Sequence, residues 1–384
     1  MIAVKANLPR LLFVVSEDWY FISHRLPMAR AARDAGFEVH VATNITAHRD
    51  AIAREGFAVH PIPFARGRLS PLASLATIRA LRRLHKSVAP AIVHHVALQA
   101  AVLGSIAALG RPAARVNALT GLGYTFTSDS AKARIARAII APALRLLLDR
   151  NGVVSLVQNV DDRAALTSIG ISRTRTALIR GSGVDVTQLK PLAEPPPPFT
   201  AAFVGRLLDD KGIHALIAAH RLLRAKGMNI RLLIAGTPDP ANPTSVSETE
   251  AASWNNEPGI AWLGHVADIS ELWAKAHIAV LPSRREGLPL SLLEAAACQR
   301  AMIASDVPGC REIVIHENSG LLFPVDDAHA LAEAITQLVV APDLRRRYAA
   351  AARTLAVENF SADVIGRNIV ELYRKMLLAR ANPS

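Results

Sequence analysis

A chain of 384 residues is too long for one ordinary hydrophobic core, so two domains are expected. Hydrophobic residues make up 51% and charged ones 20%, which excludes a disordered chain, and 2 cysteines exclude a disulfide framework and suit a reducing cytoplasm. The net charge of +12 is uneven: residues 1–190 hold 25 Lys and Arg against 11 Asp and Glu, whereas residues 191–384 hold 19 against 21. That imbalance points to an anionic partner for the first half: a lipid surface, a phosphorylated acceptor or a nucleic acid.

Along the first half, short apolar runs alternate with helical stretches. Strands are predicted at 10–15, 37–43, 58–64, 91–96, 114–119, 153–159 and 176–181, with glycines such as Gly36 and Gly56 closing the helices between them. The four prolines Pro195 to Pro198 can continue neither helix nor sheet and are the expected linker. The alternation then restarts, with strands predicted at 200–205, 230–236, 260–264, 277–282, 301–306 and 320–325, and helices at about 213–226 and 328–340. Continuous apolar strands alternating with helices imply parallel sheets covered on both faces. The expected architecture is α/β, with two doubly wound, Rossmann-like domains facing a cleft and ligands at the carboxyl ends of the strands. The domains are expected at 1–190 and 191–358 (linker near 191–199), with 359–384 a final helix.

No run is long enough to span a membrane. The first, at 11–15, ends in Ser16-Glu17-Asp18, and arginines interrupt every later one. Two stretches, 75–86 and 132–150, set arginines among Leu, Ile and Ala. Each reads either as an interfacial membrane helix or as a core-facing helix with a solvated basic face. The regional charge favours the membrane. Aromatics, at 5%, are too few and not interleaved with the basic residues as a single-strand nucleic-acid binder requires.

The most informative segment is PSRREGLPLSLLEAAACQRAMIASDVPG at 282–309. Glu286 falls in a loop and Glu294 eight residues later in an apolar helical run, with Pro289 just inside the expected helix start. A helix N-terminus favours anions. Two carboxylates there would repel a bare phosphate and more readily accept hydrogen bonds from hydroxyls, so a nucleotide sugar is the ligand with both features. The second cluster is FVGRLLDDKGI at 203–213, where Arg206 leaves a strand and Lys211-Gly212 opens a helix. Two cations there form a site for a diphosphate. The acidic pairs Asp161-Asp162, Asp209-Asp210 and Asp326-Asp327 are expected to cap helices rather than bind a metal.

These two clusters resemble the donor site of family-4 retaining glycosyltransferases, which have the GT-B fold: a Gly-Arg…Lys-Gly element and two glutamates separated by seven residues. The resemblance implies that Arg206 and Lys211 hold the donor diphosphate and offset its developing charge. It implies that Glu286 orients sugar hydroxyls beside Gly287 and Leu288, and that Glu294 binds the ribose hydroxyls. No metal or other cofactor is expected, the UDP-sugar being a co-substrate. Family members carry a histidine after the strand at 91–96. His95 is favoured here as the catalytic residue and His94 is the alternative, since this chain has an adjacent pair instead of His-x-His. Where most of the family has a Gly pair after the first strand, Ser16-Glu17-Asp18 stands, so no donor role is carried over. In CQRA at 298–301, Gln299 and Ala301 replace a usual Gly and Pro, and altered local geometry is expected.

The phrases EDWYFISHRLP at 17–27 and TGLGYTFTS at 120–128 resemble a subgroup acting on lipid-diphosphate-linked sugars in surface-glycan and N-glycan pathways. This implies an acceptor site in the first domain using Gly121, Gly123, Tyr124, His24 and Arg25. It implies transfer from a UDP-sugar, an N-acetylhexosamine by expectation, to an undecaprenyl-diphosphate-linked saccharide. The protein is then expected to be cytoplasmic and peripherally attached to the inner membrane face through its basic first half, with no nucleic acid as partner. The alternatives are a GT-B transferase with a hexose donor or a soluble acceptor, a basic nucleic-acid-binding protein, or a non-catalytic scaffold.

Overall fold

The computed structural model describes residues 8–65, 70–119 and 131–381. The chain forms two units, one of residues 1–183 with 362–384 and the other of 184–361. The four-proline run lies inside the second unit, where it leads into that unit's first strand.

The first unit holds seven strands: β1 (Arg10–Glu17), β2 (Glu38–Asn44), β3 (Ala58–Pro61), β4 (Ile92–Val96), β5 (Ala114–Ala118), β6 (Val153–Val157) and β7 (Thr176–Leu178). They run parallel in the order β3-β2-β1-β4-β5-β6-β7. Because the inner strands are covered on both faces, they read as unbroken apolar runs, whereas the edge strands β3 and β7 are only partly buried. One face packs Phe13, Val116 and Leu156 against Met28, Ile369 and Tyr373; the other packs Leu12, Val14 and Val93 against Leu81, Leu84 and Leu103. The closing helix Ala362–Ala381 belongs to this unit, so the chain crosses between units twice.

The second unit repeats the plan with β8 (Phe199–Val204), β9 (Ile230–Ala235), β10 (Ile260–Gly264), β11 (Ile278–Leu281), β12 (Ala301–Ser305) and β13 (Gly320–Phe323), ordered β10-β9-β8-β11-β12-β13. All thirteen predicted strands are present, within a few residues of their expected ends. In each sheet the order reverses at one place, between β1 and β4 and between β8 and β11. Ligands of such sheets bind at the strand ends beside that reversal.

Segment 186–194 is tied to its own unit by three arginines. Arg353 donates to the carbonyls of Val186 (3.0 Å) and Leu189 (2.7 Å), and Arg300 donates to those of Leu192 (3.0 Å) and Ala193 (2.8 Å). Arg345 grips Glu194 with two nitrogens, at 2.6 and 3.0 Å.

The expected distortion at Gln299 does not occur. Gln299 adopts the left-handed conformation, φ 58°, and ends the helix Leu290–Ala297 as a glycine would. The amides of Gln299 and Arg300 bond the carbonyls of Ala296 (3.0 Å) and Ala295 (2.9 Å), the paired bonds of a Schellman motif. Those bonds and the buried Arg300 hold a side chain where its Cβ is unfavourable. No described helix is long and apolar enough to cross a membrane.

Candidate active site

The second unit gathers its chemistry where β8 and β11 end. After β8 the chain makes a tight turn at Asp209–Lys211, and Gly212 turns left-handed, φ 69°, into the helix Ile213–Ala225. A Cβ at Gly212 would lie 1.9 Å from the Pro282 carbonyl oxygen, so only glycine lets this turn sit against the end of β11. That approach brings Lys211 and Glu286 together: the Lys211 Nζ donates to Glu286 Oε1 at 2.6 Å, and the Ser283 hydroxyl donates to the same oxygen at 2.7 Å. Glu286 is mostly buried, with 9% of its side chain exposed, against 22% for Lys211. A charge-assisted bond in such surroundings fixes both groups before any ligand arrives.

The loop that carries Glu286 and Gly287 is backed by Gly309. A Cβ there would lie 2.6 Å from the carbonyl oxygens of both residues. Leu288 packs on the core of the unit. Pro289 is the residue before the helix Leu290–Ala297 and not, as expected, its first turn. Glu294 stands in that helix, half-buried. Burial pushes its carboxyl up to about 7, and no described residue makes an ion pair with it. Near neutral pH it therefore exchanges between a hydrogen-bond donor and a pure acceptor.

Arg206 is placed differently. Its guanidinium is half exposed and pairs with Asp239 at 2.9 Å, in the polar stretch after β9. The geometry thus joins Lys211 to Glu286 and Ser283, while Arg206 and Glu294 have surroundings of their own.

The acidic pairs required a partial correction. Asp327 does cap a helix, accepting from the Ala330 amide at 2.9 Å, and Asp162 lies in a first helical turn under the Asn159 cap. Asp209, Asp210 and Asp326 instead serve two arginines missed in the sequence reading. Arg284 donates to Asp326 (2.8 Å) and Asp209 (2.6 Å), and Arg285 to Asp210 (2.6 Å), joining the loops after β8, β11 and β13. The Arg-Arg pair three residues after β11 was the available signal. No group of three or more His, Cys, Asp or Glu placed to hold a metal occurs among the described residues.

In the first unit the expected residues fall as follows. His94 and His95 point to opposite faces of β4 and neither is exposed. His94 bonds the Tyr373 hydroxyl through Nδ1 at 2.5 Å and stacks on Phe13; His95 bonds Asn117 Oδ1 through Nδ1 at 2.8 Å. Burial depresses both, His95 to about 3, so both rings are neutral. The structure therefore places both rings inside the unit, not at a surface. His24 stacks on Tyr20 at 4.2 Å and bonds Ser23. Arg25 is 1% exposed, directs Nη1 to Ser182 Oγ at 3.4 Å, and leaves Nε and Nη2 without partners among the described residues. Gly121, Gly123 and Tyr124 lie outside the described residues.

A residue without an assigned role proves central there. The Asp18 carboxylate is buried and accepts from the amides of Thr46, Ala47 and His48 at 2.7, 3.1 and 2.9 Å, and from the Thr46 hydroxyl at 2.6 Å. Burial opposes ionisation, but these bonds outweigh it and hold the carboxyl below its ordinary range. Asp18 thereby pins the turn after β2.

Comparison with known proteins bears on the fold of both units. Residues 186–355 match the family "Glycosyl transferases group 1" and residues 10–151 the family "Glycosyl transferase 4-like". With the two doubly wound sheets, they define the class of the fold, which is GT-B, its first unit similar to the 4-like family and its second to group 1.

Among individual proteins, the chain is 28% identical over 179 residues to the capsular polysaccharide biosynthesis glycosyltransferase CapM of Staphylococcus aureus, 47% of each chain. It is 33% identical over 250 residues to the alpha-maltose-1-phosphate synthase of Mycolicibacterium smegmatis, 59% of this chain and 63% of that one. The chain thus spans about half to three-fifths of the length of these two relatives. It is 24% identical over 379 residues to the N,N'-diacetylbacillosaminyl-diphospho-undecaprenol alpha-1,3-N-acetylgalactosaminyltransferase of Campylobacter jejuni, 93% of this chain and 98% of that one. Of solved structures, a sucrose-phosphate synthase from Thermosynechococcus elongatus superimposes with TM-score 0.80 at 21% identity, over 96% of this chain and 100% of that one. Anabaena HepE in complex with UDP and glucose gives 0.77 at 18%, over 95% and 99%.

Proposed function

We propose that the protein transfers a sugar, an N-acetylhexosamine, from a UDP-sugar to an undecaprenyl-diphosphate-linked saccharide, with retention of anomeric configuration. The Lys211–Glu286 pair at the β8/β11 reversal is the observation that carries this reading. It sets a fixed cation beside a fixed carboxylate at a strand end, as a ligand with both a diphosphate and sugar hydroxyls requires.

In this reading Lys211 and Arg206 stabilise the departing diphosphate electrostatically. Arg206 exchanges Asp239 for phosphate oxygens, Glu286 accepts from the sugar hydroxyls beside Gly287, and Glu294 accepts from the ribose. The acceptor hydroxyl attacks on the face the diphosphate leaves, and a donor phosphate oxygen takes its proton. Two cations that offset the leaving charge make a divalent metal unnecessary. His24, with Gly121, Gly123 and Tyr124, would bind the acceptor, buried Arg25 would support that site from within through Ser182, and buried His95 would act by holding β4 and β5 in register.

The lipid-linked acceptor is supported by the Campylobacter jejuni relative, whose name specifies a diphospho-undecaprenol-linked substrate and which aligns over nearly its whole length. Peripheral attachment to the inner membrane face is supported by the helix Pro71–Val88, where exposed Leu72 and Leu75 lie near exposed Arg79, Arg82, Arg83 and Lys86. A soluble acceptor is the second reading, favoured by the higher identity to the maltose-1-phosphate synthase.

The test is thermal unfolding with UDP, GDP and their sugars, without metal. A ligand at one hundred times its dissociation constant adds about 2.7 kcal/mol. Stabilisation by UDP and one UDP-N-acetylhexosamine is expected. No response to any nucleotide would overturn the donor assignment, and turnover with a soluble sugar but no lipid would favour the second reading.

A further inference from the structure

The first unit contains a second concentration of buried polar groups, distinct from every residue invoked above except His95 and its partner Asn117. On the face of the sheet covered by the helices Pro71–Val88 and Ala97–Ala107, a polar row crosses three adjacent strands. It consists of His95 on β4, Arg115 and Asn117 on β5 and Ser155 on β6. The strand register pairs His95 with Asn117 and Asn117 with Ser155, so their side chains share one face. His85, in the last turn of Pro71–Val88, borders the row.

These residues are 0 to 8% exposed, yet seven of their polar atoms have no partner among the described residues: His85 Nδ1 and Nε2, Arg115 Nε and Nη1, His95 Nε2, Asn117 Nδ2 and Ser155 Oγ. Buried polar groups are nearly always hydrogen-bonded, so a row of orphans marks a place that something else occupies. Its inner end is tightly closed. A Cβ on Gly104 would lie 2.2 Å from the His95 ring, and Asn117 Oδ1 is taken by His95 and by Ser105 Oγ at 3.2 Å. Its outer end is cationic. Arg115 lies under the turn whose Gly152 carbonyl accepts its amide at 2.8 Å, and exposed Arg150 belongs to that turn. Exposed Arg111 precedes β5 by a few residues. The groups act on one another: burial and then Arg150 lower Arg115, and burial followed by Arg111 and Arg115 lowers His85 to about 4.

No described carboxylate pairs with Arg111, Arg115 or Arg150. Asp149, the acid nearest in sequence, is taken by Arg175 at 3.1 Å and by the Ser172 amide at 3.2 Å. Water alone can satisfy the inner atoms. It cannot neutralise a buried guanidinium among two further arginines, and arginine does not lose its proton to escape the cost.

We infer that Arg115, with His85 beside it and Arg111 and Arg150 at its mouth, forms a binding site for a phosphate-type oxyanion in the first unit. Such an anion brings several acceptor oxygens to a donor set that has none, and the exposed arginines draw it in. The site lies where β5 begins, at the opposite end of the strands from a ligand bound at their carboxyl ends. Its occupant is therefore separate from the donor and acceptor proposed above. A soluble phosphate and a phospholipid headgroup share the chemistry recognised.

The experiment is thermal unfolding of the full-length protein titrated with inorganic phosphate at constant chloride and ionic strength, for the wild type and Arg115→Gln. Circular dichroism monitors the fold. Saturable stabilisation by phosphate is expected, with the half-saturating concentration raised about tenfold or more by Arg115→Gln. If Arg115→Gln does not fold, Arg111→Gln and Arg150→Gln, both on the surface, are expected to weaken the same response. Vesicles of phosphatidic acid in phosphatidylcholine separate the sources. Binding lost in the variant and competed by phosphate assigns the site to a headgroup, and binding unaffected assigns it to a soluble phosphate. A response that fails to saturate, or that is the same in wild type and variants, overturns the site.

Discussion

The two sheets share one strand order, and their reversal points differ in how they treat charge. At the β8/β11 end of the second unit, the charged groups stand at strand ends and are partly exposed. Lys211 holds Glu286, Arg284 bridges Asp209 and Asp326, and Arg206 rests on Asp239. At the β1/β4 end of the first unit, Asp18, Arg25, His94 and His95 are almost wholly buried and bind the protein's own backbone and side chains. In the proposed reading, the same topological position serves as a ligand site in one unit and is a structural joint in the other. Strand order therefore locates a candidate site without deciding its use. What decides is whether the charged groups are left able to exchange partners.

Substitutions can break this contrast, and the largest effect is expected in the second unit. Lys211→Ala or Arg206→Ala should cost about 2–4 kcal/mol of transition-state stabilisation, by analogy with removing one oxyanion donor, seen as a fall in kcat/KM for the UDP-sugar. Near-normal turnover in both variants would remove the diphosphate role and leave Lys211–Glu286 as another joint.

In the first unit the matching change should act on stability. Asp18→Ala leaves four backbone amides, those of Trp19, Thr46, Ala47 and His48, and a hydroxyl without their acceptor and should destabilise by about 2–3 kcal/mol in urea unfolding, with UDP affinity kept. Because the folded pKa of Asp18 lies below its unfolded value, its stabilisation is present above the unfolded pKa. It is lost as pH falls through the folded one, and Asp18→Asn should blunt that acid limb. Unchanged stability would sink the joint.

Glu294 tests the contrast with the opposite sign. Its folded carboxyl titrates near 7, above the unfolded value, so wild-type stability should decline as pH rises from the ordinary carboxylate range to about 7 and then level. Glu294→Gln should flatten that decline. If the carboxylate accepts from ribose, UDP affinity should also rise through pH 7 in the wild type alone. Identical pH profiles for the two proteins would count against both statements.

The smallest effect concerns backbone. Gln299→Gly should stabilise the second unit by about 1 kcal/mol, because the left-handed cap already exists and only its Cβ penalty is removed. A destabilised variant would mean that the glutamine side chain makes a compensating contribution.

The fold was legible because both faces of the inner strands are buried. Runs such as those in β1, β9 and β12 have no other reading than a covered parallel sheet. Lys211 and Glu286 were each legible as site residues for a related reason, since each sits a few residues beyond a recognisable strand, but their contact with each other was not. The remainder depended on contacts that sequence distance hides. Arg284 meets Asp209 and Arg285 meets Asp210 across 75 positions, and Asp18 meets backbone amides, which carry no residue signature. Composition alone also misreads Gln299, where hydrogen bonds override the preference for glycine.

The three guanidinium groups that grip residues 186–194 also mark where the second unit could be excised as a free-standing polypeptide. It is a single stretch of chain, whereas the other half is assembled from two. A fragment starting at the proline run or at β8 would discard the carbonyls and the carboxylate that Arg300, Arg345 and Arg353 now hold. It would leave the buried Arg300 and Arg345 short of acceptors. The natural cut is a dozen residues earlier, beside Val184, whose amide already bonds the Phe360 carbonyl at the other end of the same stretch.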